Sequence, residues 1–216
     1  RRSGGSIRRV NSLSQRPDSQ AIDDRLIDQV EVHYGRFEQP AMVRVMSFAS
    51  ASATALSKRS YRQEGATKTL HAEIDSTRRA SEHGVTVWPD PNEDWLAARN
   101  RIAVSDPTIF RSMLELIEGP KLFSGVELDG TIQSVAYGVI VDGLLVIEAV
   151  ATDEAHRGRG LARNAVQSLL NWAASQGVNA VVLQVVTNNE PARALYRSLG
   201  FTSELFDYFY MRQPQP

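Results

Sequence analysis

A segment rich in glycine and arginine lies at residues 156–162, with the sequence His-Arg-Gly-Arg-Gly-Leu-Ala. It stands between a predicted strand and a predicted helix. Glycines at such a turn let backbone N–H groups approach a ligand, and a helix start adds unpaired donors and about half a positive charge. Arg157 and Arg159 add cationic donors, so we predict a pyrophosphate site. The glycine spacing and the lack of Gly-Lys-Ser/Thr argue against a Rossmann cofactor and a nucleotide triphosphate.

A second pattern follows the next predicted strand and reads Asn-x-x-Ala-x-x-Leu-Tyr-x-x-x-Gly-Phe from Asn189 to Phe201. Taken with Arg-x-x-Gly-x-Ala at residues 157–162, it resembles the GNAT superfamily of acyl-CoA-dependent N-acyltransferases over about residues 83–212. The resemblance implies an α/β fold with a mixed α+β sheet, and an N-acetyltransferase that uses acetyl-CoA as acyl donor and no metal.

The resemblance also implies roles for individual residues. The backbone of Val150, Ala151 and Thr152 pairs with the pantetheine arm and polarises the acetyl carbonyl, Asn189 contacts the same arm, and Tyr196 directs its phenol at the CoA sulfur. The residues implied in holding the pyrophosphate are Arg157, Gly158, Arg159, Gly160, Leu161, Ala162 and Arg163. Acyl transfer builds an oxyanion, which needs fixed donors, and expels a thiolate, which a phenol can protonate. As alternatives, Asn189 only caps a helix and Tyr196 only packs.

The sequence pattern does not identify the base that accepts the proton of the amine. An attacking amine must be neutral, although amines are protonated near pH 7. Relatives that acetylate protein N-termini often have Glu five residues before the Asn, where this chain has Gln184, which weakens that assignment. Glu148 is our candidate base because strand alternation places it on the same face as residues 150 and 152. The alternative is a carboxylate paired with a neighbour, and Asp207 and Tyr208 are weaker candidates.

The chain contains no cysteine, so the acetyl group cannot rest on a protein thiol. We therefore expect direct attack by the amine within a ternary complex. The acceptor remains open: a small-molecule amine, an aminoglycoside-like polyamine, a protein lysine and a protein N-terminus all fit. A different class of function, a regulatory module that binds CoA and transfers nothing, is the alternative.

Composition bounds the other classes of function. The 216 residues, 42% hydrophobic and 23% charged, predict one large or two small globular domains. The most apolar stretch, Val139–Val150, is interrupted by charges and glycine, so no membrane span is expected. Residues 1–82 hold 14 Lys and Arg against 10 Asp and Glu, and residues 83–216 hold 10 against 15, which makes a nucleic-acid partner unexpected. The chain begins at Arg1 without a signal-peptide pattern, so we expect a fragment or a renumbered chain, located in the cytoplasm. A homodimer is left open.

Hydrophobic periodicity in the second half predicts the order β-α-α-β-β-β-α-β-α-β. The predicted elements are a strand at 85–88, helices at about 93–102 and 107–118, three strands between 122 and 152, a helix over 162–173, a strand at 180–186, a helix at about 190–199 and a strand at 201–211. Asn92 and Asp106 are the predicted helix caps, and Asp-Gly pairs at 129–130 and 142–143 predict hairpin turns. The β-branched run at 180–186 is expected to be buried on both faces.

The first half predicts a shorter β-α-β-α-β order. Its elements are strands at 6–13, 42–46 and 61–74 and helices at 21–34 and 52–58. Since the second half ends with the same order, we infer a weak internal duplication, the alternative being two unrelated α/β pieces. Residues 12–17 have no glycine where the pyrophosphate turn should be, and Ser57 stands near the position of Tyr196, so this degenerate copy should bind no CoA. Residues 77–84 form the predicted linker, which divides an N-terminal domain (1–82) from a catalytic domain (83–216).

Overall fold

The computed structural model describes residues 7–16, 21–75, 84–103 and 105–214. The strands among these residues are β1 (Leu13–Ser14), β2 (Met42–Met46), β3 (Arg62–Glu73), β4 (Val85–Trp88), β5 (Lys121–Leu128), β6 (Thr131–Val141), β7 (Leu144–Thr152), β8 (Ala180–Val186) and β9 (Ser203–Arg212). The helices are α1 (Asp24–Gly35), α2 (Ala51–Lys58), α3 (Glu93–Ile102), α4 (Pro107–Glu115), α5 (Leu161–Ser175) and α6 (Glu190–Ser198). The predicted mixed α/β class is confirmed.

Helix starts and hairpin turns follow the local signals in the sequence. The side chains of Asn92 and Asp106 accept hydrogen bonds from backbone N–H groups in the first turns of α3 and α4. Asp129, Gly130, Asp142 and Gly143 all have positive φ, between 50° and 75°, as a two-residue type I′ hairpin turn requires. The antiparallel meander β5–β6–β7 is therefore confirmed with its predicted turns.

Three predicted features differ from the structure. Residues 8–10 form a 3₁₀ turn rather than a strand, because the Asn11 side chain donates to the Ile7 carbonyl (3.0 Å) and holds the turn, leaving a strand of only two residues, Leu13–Ser14. Helix α4 ends at Glu115 instead of about 118, where the Ile117 N–H donates to the Leu114 carbonyl in a tighter i→i−3 bond (3.1 Å). Strand β8 alternates between buried and partly exposed residues, so it is not buried on both faces along its length.

The chain packs into two compact units, and Leu70–Gln184 with Glu190–Ser203 forms the one we call unit 2. Its strand order is β3-β8-β7-β6-β5-β4, with only the last residues of β3 included. Neighbours from β4 to β7 are antiparallel, whereas β7 and β8 are parallel, from Leu144 opposite Ala180 to Ile147 opposite Leu183. This parallel crossover through α5 confirms the predicted change from meander to crossover.

Helices α3 and α5 cover the two faces of this sheet. On β5, Phe123 packs against Trp95 of α3, with 5.0 Å between the two ring centroids. The next residue, Ser124, has its hydroxyl oxygen 2.8 Å from that of Ser168 on α5. Successive strand residues point to opposite faces. The two helices therefore lie on opposite sides of the sheet, and Trp95 is fully buried on the α3 side.

We predict that Asn92→Ala lowers the free energy of unfolding by about 1 kcal/mol. The Asn92 side-chain oxygen accepts the Trp95 N–H at 2.8 Å, and this N–H has no partner within its own helix. Urea unfolding followed by tryptophan fluorescence measures the change as a lower midpoint at an unchanged slope. An unchanged midpoint would show that water replaces this cap without cost.

Unit 1 contains the described residues up to Thr69 together with Val185–Asn189 and residues 204–214. Its strand order is β1-β2-β9-β3, in which β1 and β2 are parallel and β2 and β9 are antiparallel. The core is shared by buried residues of α1, α2, β2 and β9: Ile27, Val30, Tyr34, Val43, Val45, Leu56 and Met211. The last strand of the chain thus completes the unit that holds the first elements.

The order β1-α1-β2-α2-β3 repeats as β7-α5-β8-α6-β9, and each series opens with a parallel strand pair. The inferred duplication and the degenerate character of the first copy stay predictions. The predicted linker and the boundary between residues 82 and 83 fall, except for Gly84, outside the described residues.

Candidate active site

Strand β7 contains a bulge directly after Glu148. Ala149 has φ 54°, and the β6 register passes from Tyr137 opposite Glu148 to Val135 opposite Ala151. Two residues of β7 therefore face one residue of β6, which is the arrangement of a β-bulge. Bulges redirect the backbone beside functional sites, and this one precedes the three residues predicted to pair with the pantetheine arm.

β7 leaves its parallel neighbour at the same point. Its register with β8 ends at Ile147 opposite Leu183, whereas its register with β6 continues to Thr152 opposite Ser134. Ser134 anchors this end, since its hydroxyl donates to the Ala151 carbonyl (3.0 Å) and lies 2.9 Å from the Thr152 hydroxyl. The strand end is thus held from the β6 side, and its other edge is the one a ligand backbone could pair with.

A 3₁₀ turn, Glu154–His156, connects β7 to the glycine-rich segment. Asp153 begins this turn by accepting the Ala155 N–H (3.1 Å), and Arg101 of α3 forms an ion pair with it. Burial raises the pKa of Asp153, but the Ala155 N–H, the His156 side chain and the Arg101 charge outweigh this and hold its pKa below the usual range. The carboxylate therefore stays charged and fixes the entry to the turn.

The glycines of the turn adopt conformations that favour glycine. Gly158 has φ 75° and Gly160 has φ 80°, and a Cβ added at either would meet no heavy atom within 4 Å. Gly160 is the N-cap of α5, and no side chain caps this helix start. In contrast, the N-caps of α1, α3 and α4 are Asp23, Asn92 and Asp106, whose side chains accept backbone N–H groups of the first helical turn. The N-terminal N–H groups of α5 and the open space beside the turn suit a diphosphate.

The three arginines of this segment differ in their contacts. Arg163 donates to the Ser198 hydroxyl of α6 at 2.5 Å, which ties the start of α5 to the end of α6. Arg157 is exposed and lies 3.4 Å from Glu154 in an i,i+3 ion pair. Arg159 is exposed, as are both glycines of the turn. The predicted pyrophosphate segment is therefore a surface turn with cationic side chains around open backbone donors.

Tyr196 and Glu148, the two predicted catalytic residues, lie near each other. The Tyr196 side chain is buried on α6, with its ring centroid 5.8 Å from that of Phe201. Burial and the negative charge of Glu148 raise the pKa of Tyr196 to about 12. Since the interaction of charges falls with distance, Glu148 must lie close enough to act on the phenol. The structure thus brings together a protonated phenol and a carboxylate beside the bulge of β7.

The remaining candidates are placed elsewhere in the chain. Asn189 is exposed in the turn before α6, and its N–H donates to the Val186 carbonyl at 3.0 Å. Asp207 is exposed on β9, while Tyr208 is buried in unit 1 with Met42. No finding assigns a catalytic role to Asp207 or Tyr208.

The sequence analysis did not identify two residues on the α3 side of the unit 2 sheet. Tyr137 lies directly opposite Glu148, with its ring centroid 6.4 Å from that of Trp95. Counting outward from the two-residue turn at 142–143 gives this pairing, so the hairpin signal was sufficient to find Tyr137. Arg99 of α3 is buried near Tyr137. Its spacing of four residues from Trp95 and three from Leu96 is the helical signal that could have placed it on the buried face, unlike the exposed Arg101.

Two further findings concern other kinds of site. Among the described residues, no group of three His, Asp or Glu side chains is arranged to hold a metal ion. No helix in the described part of the chain is long and apolar enough to cross a bilayer.

Comparison with known proteins identifies the family. The model of the acetyltransferase (GNAT) family matches residues 85–201, which is more than half of the chain. The chain therefore belongs to the GNAT family of acetyltransferases, and the resemblance noted in the sequence is confirmed.

Individual relatives cover parts of the chain. Streptothricin acetyltransferase of Escherichia coli is 32% identical over 102 residues, which span 40% of this chain and 59% of that protein, so less than two thirds of its length is covered. A tandem GNAT protein from the clavulanic acid biosynthesis pathway, solved without acetyl-CoA, has a TM-score of 0.69 at 12% identity, over 88% of this chain and 69% of the other. A GCN5-related N-acetyltransferase from Kribbella flavida has a TM-score of 0.65 at 15% identity, over 95% and 79%. These two structures share the fold.

Proposed function

We propose that this protein transfers an acetyl group from acetyl-CoA to an amine by direct attack in a ternary complex. Tyr196 protonates the departing thiolate and Glu148 accepts the proton of the amine. The observation that carries this proposal is the buried Tyr196 phenol, whose pKa is raised to about 12, first by burial and then by the Glu148 charge. A phenol that keeps its proton at neutral pH is available to donate it when a thiolate forms beside it.

The residues present fit an acyl-CoA donor. Gly160 starts α5 without a side-chain cap, so the helix N-terminus is suited to a diphosphate, and Arg157 and Arg159 add charge beside it. The edge of residues 150–152 that β8 leaves is suited to the amides of the pantetheine arm. Acetyl-CoA supplies an activated acetyl thioester. The contact of Asn189 with the same arm stays a prediction.

Glu148 and Tyr196 together account for every proton that the reaction moves. Glu148 accepts the proton that the amine loses as its nitrogen bonds to the acetyl carbon, and Tyr196 gives its proton to the sulfur as the C–S bond breaks. A glutamic acid is far more acidic than a phenol, so the proton held by Glu148 returns to the Tyr196 phenolate. Their proximity, which the effect of Glu148 on the pKa of Tyr196 reflects, supports this return step.

The test is release of free thiol from acetyl-CoA in the presence of a panel of amines. Initial-rate patterns that intersect support the ternary complex, and parallel lines would indicate a two-step route. A regulatory module would bind CoA and release no thiol with any amine. The panel includes small amines, streptothricin-like polyamines, lysine peptides and peptide N-termini, because the relative named for streptothricin aligns with only 40% of this chain.

We predict that Glu148→Gln lowers kcat/KM by about tenfold at mildly acidic pH and by less at pH 9. Near pH 9 a larger share of the amine is already neutral, so the base is needed less. Thiol release measured across this pH range tests the change, with Glu127→Gln on an exposed part of β5 as the control. A pH profile identical in shape to that of the unaltered protein would remove Glu148 as the base.

Unit 1 is proposed to bind no CoA. Its β1 has only two residues, so β1 and β2 are paired in parallel over two residue pairs. The corresponding strands of unit 2, β7 and β8, are paired over four residue pairs. Binding of one CoA per chain supports this proposal, and two per chain would contradict it. The cytoplasmic location and a homodimer stay predictions.

A further inference from the structure

Arg99 is a buried arginine on the α3 side of the unit 2 sheet. Only 7% of the residue is exposed, and its guanidinium carbon lies 3.6 Å from the centroid of the Phe110 ring. Its Nη1 donates to the Ala103 carbonyl (3.4 Å) and to the Ser105 hydroxyl. Its Nε is enclosed and has no hydrogen-bond partner among the described residues. The Nε–Nη2 edge of the guanidinium thus takes part in neither of these hydrogen bonds.

No carboxylate among the described residues forms an ion pair with Arg99. Exposed arginines nearby do have such partners, since Arg101 pairs with Asp153 and Arg111 with Glu93. Burial lowers the pKa of Arg99, and its interaction with Tyr137 opposes this only in part. A buried charge is costly unless it is paired, so the described residues leave this cation without its usual compensation.

Arg99 lies along a line of side chains that leads to the reacting residues. Tyr137 interacts with Arg99 and stands directly opposite Glu148 in the β6–β7 register. Directly opposed residues of antiparallel strands point to the same face of the sheet. Glu148 in turn acts on the phenol of Tyr196. The series Arg99, Tyr137, Glu148 and Tyr196 therefore extends from α3 to the proposed site of proton transfer.

We infer that the acceptor is an amine that also carries a carboxylate, and that Arg99 binds this carboxylate while the amine faces Glu148. The planar guanidinium offers two parallel N–H groups along its Nε–Nη2 edge, which match the two oxygens of a carboxylate. The bound carboxylate supplies the negative charge that no described residue places against the Arg99 guanidinium. This inference rests on the proposed acetyl transfer, because it assigns the acceptor of that reaction.

The competing explanation is that Arg99 only ties the segment after α3 through Ala103 and Ser105. In that case its removal loosens this segment and affects every acceptor alike. The inferred role instead predicts a loss confined to acceptors that carry the carboxylate. Comparing matched acceptors in the same variant separates the two explanations.

The experiment measures thiol release with pairs of amino acids and their amides: β-alanine with β-alaninamide, 4-aminobutanoate with its amide, and lysine with lysinamide. We expect the unaltered protein to prefer at least one acid over its amide by about tenfold in kcat/KM. In Arg99→Met this preference falls to about one while the rate with the amide is kept, and Arg99→Lys retains part of it. Arg111→Met, which removes an exposed paired arginine, keeps the full preference. O-phosphoethanolamine is added to distinguish a phosphate from a carboxylate as the recognised group.

Three outcomes overturn the inference: no preference for the acid of any pair in the unaltered protein, equal loss with acid and amide in Arg99→Met, or a preference for the phosphate alone. A second readout is the rise in melting temperature caused by each acid and each amide. If Arg99→Met does not fold, the test is the difference between acid and amide in this melting-temperature rise, compared between the unaltered protein and Arg99→Lys. If CoA binds and no amine releases thiol, the proposed function fails. A rise in melting temperature with the acid but not with the amide, smaller in Arg99→Lys, would still support Arg99 as the carboxylate site.

Discussion

Replacing Tyr196 by Phe is expected to lower kcat for thiol release by about 100-fold or more, with little change in the KM for acetyl-CoA. The phenol is buried and acts when the thiolate leaves, so its loss should affect the chemical step rather than donor binding. Phe fills nearly the same volume, and the contact with the Phe201 ring is kept. Initial rates at saturating amine measure the effect.

Tyr61→Phe is the control for loss of a phenolic hydroxyl. Tyr61 is also buried, in unit 1, and donates to Glu31 at 3.1 Å, so its replacement should affect stability and leave kcat unchanged. A fall in kcat of less than about threefold in Tyr196→Phe would be too small for an acid at the sulfur and would contradict the assigned role.

The pH dependence offers a second check on Tyr196. Because the phenol pKa is raised to about 12, the active protonated form persists at high pH and is lost only as pH rises past that value. We therefore expect no loss of kcat from phenol ionisation between about pH 8 and pH 10. Glu148→Gln removes one cause of the raised pKa and should move the alkaline limit to lower pH. A limit near pH 9 in the unaltered protein, absent in Tyr196→Phe, would show that the phenol is less buried than the structure indicates.

The second large effect is expected at the glycine-rich turn, where Gly160→Ala should weaken CoA binding by about 100-fold. Gly160 has φ 80°, a conformation that strains an alanine, and a shifted backbone would misdirect the N–H groups at the start of α5. Loss of one or two hydrogen bonds to a charged phosphate accounts for this magnitude. Isothermal titration calorimetry with CoA measures it directly.

Gly143→Ala is the matched control for backbone strain. Gly143 also has positive φ, 75°, and an added Cβ there meets no heavy atom within 4 Å, but it lies in the hairpin turn between β6 and β7. Both substitutions should lower the melting temperature by similar amounts, and only Gly160→Ala should weaken CoA binding. Equal CoA affinity in the two variants would mean that the turn at 157–160 does not hold the diphosphate.

Local signals were sufficient to predict much of the fold. Caps such as Asn92 and Asp-Gly turns act within a few residues, so their positions follow from sequence alone. The same hairpin register places Tyr137 opposite Glu148. Alternation along β7 predicted Glu148 on the same face as residues 150 and 152, but the bulge at Ala149 interrupts the alternation between them, which strand periodicity could not anticipate. The role of Glu148 stays a prediction.

Long-range packing accounts for what the sequence analysis missed. The spacing of Arg99 from Trp95 indicates that it faces the core, but not that it forms no ion pair with a carboxylate among the described residues, because this depends on residues brought in by β6 and α4. The turn at residues 8–10 was predicted as a strand, whereas apolar residues recur there at every third position and the Asn11 side chain favours the turn. The pairing of β9 with β2 joins residues far apart in the chain, and no periodicity specifies such a partner.

The pairing of β2 with β9 also bears on how the chain folds during synthesis. Met42–Met46 obtains its antiparallel neighbour only after residues 208–212 have left the ribosome, more than 160 residues later. Until then the strand presents an open hydrogen-bonding edge that invites pairing with other nascent chains. Unit 1 can therefore be completed only after the residues between β2 and β9 have been made, so its maturation depends on a chaperone that shields this edge or on synthesis of β9 before the edge pairs wrongly.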